Sequence, residues 1–190
     1  MLLLVGLGNP GPKDENNRHN IGFKIIDAIN KHFSLSKQKP KFKGLLTTGS
    51  IEGQKLYAIK PLTFMNNSGT AIKELIDYFK IDAKNVFVFH DDMDIDFGKI
   101  KAKFGGGSAG HNGIESIDKF IGKDYSRVRI GIGHPVSTKK VNSHVLEDFK
   151  EDEDEKIKEI TDNIVKLVPT LLQKKIDLFS SKVNQNLNGI

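Results

Sequence analysis

Leu2-Leu3-Leu4-Val5-Gly6-Leu7-Gly8-Asn9-Pro10-Gly11 opens as an apolar run and stops on glycines and prolines. A run of that length without alternation is a strand buried on both faces. Such a strand needs helices above and below it. Ile21–Phe33 supplies the first, with Ile21, Ile25, Ala28, Ile29 and His32 or Phe33 at helical spacing. Val86–Phe89 and Val128–Ile132 repeat the apolar strand pattern, and Thr70–Phe79 and Ile114–Ile121 read as helices between them. Strands alternating with helices predict an α/β fold: a single-domain three-layer sandwich with a mixed, mostly parallel sheet flanked by helices.

Leu45–Ile51 and Leu56–Ile59 bracket Glu52-Gly53-Gln54 as a hairpin, and Ser34–Lys43 reads as a basic connector. His90–Gly98 reads as an acidic loop and Lys99–Lys103 as an exposed strand. The tail from Glu151 to Phe179 is helical, with Pro169 expected to kink or divide it. Residues 1–182 are expected to form the one domain and Val183–Ile190 a frayed end. Sites in such sheets collect at the carboxyl ends of strands. The loops after Leu7, Ile59, Phe89 and Lys103 are rich in His, Asn and Asp, and could converge on one cleft.

The chain has 190 residues, 37% hydrophobic and 28% charged, an ordinary globular mixture. It has no Cys, which excludes disulfides, thiolate metal sites and thiol catalysis. No apolar run approaches the ~20 residues of a membrane span, and Leu2–Val5 is too short for a signal-peptide core. A soluble, untargeted protein is expected. The net charge of +5 is unevenly spread: residues 1–146 carry +8 and residues 147–190 carry −3. A basic body suggests a polyanionic partner, nucleic acid first. Only Arg18, Arg127 and Arg129 interrupt the use of Lys, so each is a candidate for bidentate chemistry.

Gly6-Leu7-Gly8-Asn9-Pro10-Gly11 matches the dinucleotide fingerprint, but Pro10 and Pro12 prevent a helix from opening on a pyrophosphate. Gly106-Gly107-Ser108-Ala109-Gly110 matches the nucleophile elbow of serine hydrolases, with His134 and His144 downstream. Its Ser lies among flexible glycines, where an elbow is a taut turn. Asp92-x-Asp94-x-Asp96 lacks the Gly and the bidentate Glu of a calcium loop.

Taken together, six motifs carry a resemblance. They are Val5–Gly11, Arg18–Phe23, Lys60–Gly69, His90–Asp94, Gly105–Gly113 ending Gly-His-Asn-Gly, and Arg129–Pro135. In this order and at these intervals the chain resembles bacterial peptidyl-tRNA hydrolase, from residue 2 to about 180. The resemblance implies a single-domain, cytosolic, usually monomeric enzyme that uses no metal or other cofactor. It would cleave the ester joining a peptide to the terminal ribose of tRNA. His19 then matches the catalytic His and Asp91 the acid that holds it in its basic form. Asn9 matches the residue that distinguishes peptidyl from free aminoacyl esters. Asn66 and Asn112 match amides of the substrate cleft, and Phe64 a contact to the tRNA end, with Met65 and His111 expected beside them. Lys103 and Arg129 match a clamp on the tRNA 5′-phosphate, which Lys101 and Arg127 would extend. Asp14 stands where the family usually places a tRNA-contacting Tyr. A carboxylate there cannot stack and would repel phosphate.

The residues also support this chemistry directly. An activated ester needs a base for water and donors for the developing oxyanion. Imidazole, with an ordinary pKa near 6.5, is mostly neutral at cytosolic pH, and a carboxylate on its other nitrogen fixes the tautomer. Asn66 is the expected oxyanion donor. Asn9 and Asn112 could read the first peptide bond, where a free ammonium would meet donors instead of acceptors. Lys99, Lys101 and Lys103 share one strand face, as do Arg127 and Arg129, and suit phosphate tracking.

Overall fold

A computed structural model describes residues 1–137 and 141–189. Seven strands form one sheet in the order β2-β3-β4-β1-β5-β7-β6. They are β1 (Leu2–Gly6), β2 (Lys39–Lys41), β3 (Gly44–Ile51), β4 (Gln54–Pro61), β5 (Val86–Asp92), β6 (Ile100–Phe104) and β7 (Ser126–Gly131). The central four, β4, β1, β5 and β7, run parallel, while β2, β3 and β6 complete the edges through antiparallel pairing. The helices are α1 (Ile21–His32), α2 (Ser68–Phe79), α3 (Asn112–Ile121), α4 (Val141–His144), α5 (Glu151–Leu172) and α6 (Ile176–Leu187).

Strand alternation divides the core in two. Leu2, Leu4, Phe87, Phe89, Val128 and Ile130 pack with α1, α5 and α6. Leu3, Val5, Leu7, Val86 and Val88 pack with α2 and α3 on the other face. The expected three-layer sandwich is therefore what the chain forms. The β1 to β4 crossover moves to one side and the β4 to β5 crossover returns past β1 to the other. The carboxyl ends of β1 and β5 thus flank the point where the winding reverses.

Several local expectations need correction. β5 continues through His90, Asp91 and Asp92 rather than ending at Phe89, because Phe87–Asp92 stay paired with Ser126–Gly131. The basic connector contains β2, which pairs with Leu45 and its neighbours. α5 passes through Pro169 and ends at Leu172; buried Val168, Leu171 and Leu172 hold the turn that the proline weakens. The segment expected to fray is instead the last turns of α6, with Val183 and Leu187 buried; Ile190 lies outside the described residues. α6 also covers the outer edge of β6. Ser180 Oγ accepts the Ala102 N–H, and Asn184 accepts from the Ile100 N–H while donating to its carbonyl.

No helix among the described residues is long and apolar enough to cross a membrane.

Candidate active site

Asp91 sits one residue before the carboxyl end of β5, fully enclosed. His19 lies in a single 3-10 turn, Arg18–Asn20, that leads directly into α1. That helix starts against the sheet because Gly22 has no side chain: a Cβ there would lie 2.4 Å from Leu7 N and from Phe89 O. His19 Nδ1 reaches Asp91 Oδ1 at 2.8 Å and Oδ2 at 2.9 Å. His111 approaches from the opposite layer, at the start of α3, and its Nε2 meets Asp91 Oδ1 at 2.9 Å. Imidazoles from both helical layers thus converge on one carboxylate.

The backbone assigns the tautomers. His111 Nδ1 accepts the N–H groups of Gly113 and Ile114 as the cap of α3. Its proton must therefore be on Nε2, donated to Asp91. An ionised Asp91 likewise draws the His19 proton to Nδ1, which leaves His19 Nε2 as a lone-pair nitrogen. Burial disfavours the Asp91 carboxylate, but electrostatic attraction to His111 and His19 and the hydrogen bonds from their N–H groups outweigh it and hold its pKa below the usual range.

Behind this pair lies His90, also buried. Its Nδ1 donates to the Asp91 carbonyl at 2.8 Å, and its ring stands edge-on to His111 with centroids 4.9 Å apart. Desolvation, reinforced by His111, pushes its pKa down to about 3, so this ring is neutral.

His19, Asp91 and His111 also place ligand-type atoms within 4.8 Å of one another. They fit a cation poorly. Each ring nitrogen facing the carboxylate carries a proton, and His111 could offer a lone pair at Nε2 only by surrendering its helix cap.

The cleft around His19 has a volume of about 470 Å³. Asn9, Phe64, Met65, Asn66, His111 and Asn112 line it, as the sequence led us to expect. Asn9 is fixed on three sides. Its N–H and carbonyl pair with the Asn20 side chain, and its Oδ1 accepts the Met65 N–H at 2.8 Å. Its Nδ2 is left to donate. Phe64 is exposed and holds φ 53° and ψ 156°, a region that side chains avoid and that recurs at ligand-contacting positions. Asn67 stands at the N-cap position of α2 without a side-chain hydrogen bond to it, and Ser68 Oγ donates back to the Met65 carbonyl. Asn66 is thus not committed to the cap.

The opposite wall, Val141, Asn142, Val145 and Leu146, was not foreseen. Its side chains carry no chemical signature. Arg18 binds this wall to the turn that carries His19 and is no ligand site. It is buried and donates to the carbonyls of Glu147 and Asp148 and to Glu153. His19 N–H in turn donates to the Val145 carbonyl at 2.8 Å.

The basic residues divide. Lys101 and Lys103 are exposed on β6 and lie opposite Arg129 and Arg127 on β7. Arg129 is partly exposed, with its Nε on Asp92 Oδ2 at 2.7 Å. Arg127, expected on the phosphate surface, is instead buried: it lies over the Tyr125 ring and donates to Asp118 and to the Gly107 carbonyl. α3 and the glycine-rich loop close over it. Asp14 accepts from Asn17 Nδ2 within its own turn. Ser108 Oγ has Glu115 at 3.3 Å and the Gly110 N–H as its partners, and among the described residues no imidazole bonds to it.

The sequence profile of the peptidyl-tRNA hydrolase family matches residues 3–189. A peptidyl-tRNA hydrolase of Pelagibacter ubique is 71% identical over 184 residues, covering 97% of this chain and 99% of its own. One from Bartonella quintana is 46% identical, covering 97% and 96%. The crystal structure of peptidyl-tRNA hydrolase from Acinetobacter baumannii superposes with a TM-score of 0.90 at 34% identity, covering 97% of this chain and 94% of that one. With a profile that spans nearly the whole chain, relatives this close and a shared fold, the chain belongs to the peptidyl-tRNA hydrolase family.

Proposed function

We propose that this enzyme hydrolyses peptidyl-tRNA by a water molecule that His19 deprotonates. The observation that carries the reading is the 2.8 Å contact of His19 Nδ1 with Asp91, which leaves Nε2 as the base at the cleft. Water gives its proton to Nε2 as its oxygen attacks the ester carbonyl carbon. Asp91 stabilises the imidazolium. The tetrahedral oxyanion receives a hydrogen bond from the Asn66 amide. Collapse breaks the carbon–oxygen bond to the ribose, and the imidazolium returns the proton to the departing 3′ oxygen. The products are tRNA with a free hydroxyl and a peptide carboxylic acid, which releases its proton to solvent as the carboxylate.

Asn9 Nδ2, held by the Oδ1 contact to Met65, offers a donor to the first peptide carbonyl, and Asn112 faces the same cleft. An unblocked α-ammonium brings a charged donor to these donors and is rejected. Phe64 offers a ring to the terminal base. Lys101, Lys103 and the free edge of Arg129 take the 5′-phosphate and the adjoining backbone. Asp14, tied to Asn17, adds nothing to that surface.

The test compares wild type with His19→Ala on N-blocked and free aminoacyl-tRNA. Wild type should cleave only the blocked substrate, and the variant should lose about 10²–10⁴ in rate. Ser108→Ala should leave the rate within about twofold of wild type. A lethal Ser108→Ala with an active His19→Ala would establish a serine hydrolase, and absence of hydrolysis by wild type an RNA-binding module.

A further inference from the structure

Asp92 follows the catalytic acid directly on β5, and its side chain points to the opposite face of the sheet. That face is covered by α2 and α3 over the centre and left open over β6 and the end of β7, where Lys101, Lys103 and Arg129 lie. The Asp92 carboxylate is almost wholly buried and both its oxygens are engaged. Oδ1 accepts the Asp94 N–H at 2.9 Å, and Oδ2 accepts Arg129 Nε at 2.7 Å.

Only Nε of Arg129 is taken. Among the described residues its two Nη groups have no partner, and a quarter of the side chain is accessible. A guanidinium held along one side presents its remaining edge in a fixed direction, and that edge suits a phosphate oxygen pair. Left alone, an Arg on an exposed strand samples many rotamers and loses that freedom on binding.

Resting on the reading of Lys101, Lys103 and Arg129 as the tRNA phosphate surface, we propose that Asp92 is a positioning residue that sets where the phosphate anchor stands relative to the reacting ester. Asp91 holds the base and Asp92 holds the anchor. Because the two are consecutive on one strand, with Cα atoms about 3.8 Å apart, the distance between chemistry and anchor is built into β5. The role is one of measurement: the anchored phosphate brings the ester to His19.

The experiment measures kcat and KM separately with N-blocked aminoacyl-tRNA carrying or lacking its 5′-phosphate, for wild type, Asp92→Ala, Asp92→Asn, Arg129→Ala and the double variant. Wild type should favour the phosphorylated substrate through KM. Asp92→Ala should raise KM for that substrate about tenfold, with kcat within about threefold and no change for the dephosphorylated one. Asp92→Asn, which keeps an acceptor for Nε, should recover most of the loss. In the Arg129→Ala background, Asp92→Ala should have no further effect on KM. Equal losses on both substrates, or additive losses in the double variant, would overturn the role of Asp92. A wild type indifferent to the 5′-phosphate would overturn the phosphate surface beneath it, whatever the variants do.

Discussion

His90 is the residue whose protonation the fold tolerates least. It sits in a buried ring stack, donates to the Asp91 carbonyl, and titrates near 3 instead of near 6.5. Unfolded, the same ring takes up its proton as pH falls below about 6.5. Between those values the unfolded chain binds more protons than the folded one. Stability is therefore full above about 6.5 and drops as pH falls, by up to about 1.4 kcal/mol per pH unit for this group. The Asp91 carboxyl, also lowered, adds its loss only below the ordinary carboxylate range. Urea unfolding of His90→Asn between pH 6 and 4 should show a shallower dependence on pH than wild type, and equal slopes would refute the assignment. At this scale the sequence was informative about chemistry and silent about orientation. His19, Asn9 and Asn66 could be named because they stand in the motifs that carry the family resemblance, in loops at the carboxyl ends of strands. Arg18 was left open and Arg127 was wrongly expected on the phosphate surface, because a guanidinium that grips carbonyls reads the same as one that grips phosphate. His111 was placed in the cleft, but its two-sided task depends on a helix cap that only the folded chain creates.

Among the elements, α1 is the one on whose placement the proposed mechanism depends most. Gly22 lets its first turn rest on the backbone of β1 and β5, and His19 sits three residues earlier. A methyl group at Gly22 would meet Leu7 N and Phe89 O, neither of which can rotate away. Gly22→Ala should therefore displace the turn that carries His19. A displacement of about 1 Å costs on the order of 10²-fold in kcat. Steady-state kinetics beside a circular dichroism melt will check this: the expected result is a variant that still folds and whose kcat falls by about that factor. The strands and most helices were legible from periodicity alone. The end of α5 was not, since Pro169 weakens one turn locally while buried Val168, Leu171 and Leu172 hold the helix together from outside it. The last turns of α6 were misread for a related reason. Asn184 reads as a tail residue, and its task is to complete the edge of β6.

Across the whole molecule, charge and fold divide the labour. The basic body carries the open face over β6 and β7, while the acidic tail forms α5 and α6 on the opposite layer. A polyanion is therefore drawn to one side. If three cations, Lys101, Lys103 and Arg129, meet backbone phosphates, log KM should rise with log salt at a slope of about 3. Kinetics between 50 and 200 mM salt will measure it, and a slope near zero would remove these residues from the interface. The uneven charge was readable from composition. Which cations face outward was not, because that depends on how far α3 and the glycine-rich loop extend over the sheet.

The meeting of His19 and His111 on one carboxylate has a further consequence. One ring belongs to the layer of α1 and α5, the other to the layer of α2 and α3, and the acid to the sheet between them. On the proposed mechanism, turnover therefore requires both helical layers to be docked on the one sheet between them. A chain with only the α2 and α3 layer docked would hold the acid without its base, and one with only the α1 and α5 layer docked would lack the second donor to that acid. Recovery of activity during refolding is then expected to follow the docking of both layers.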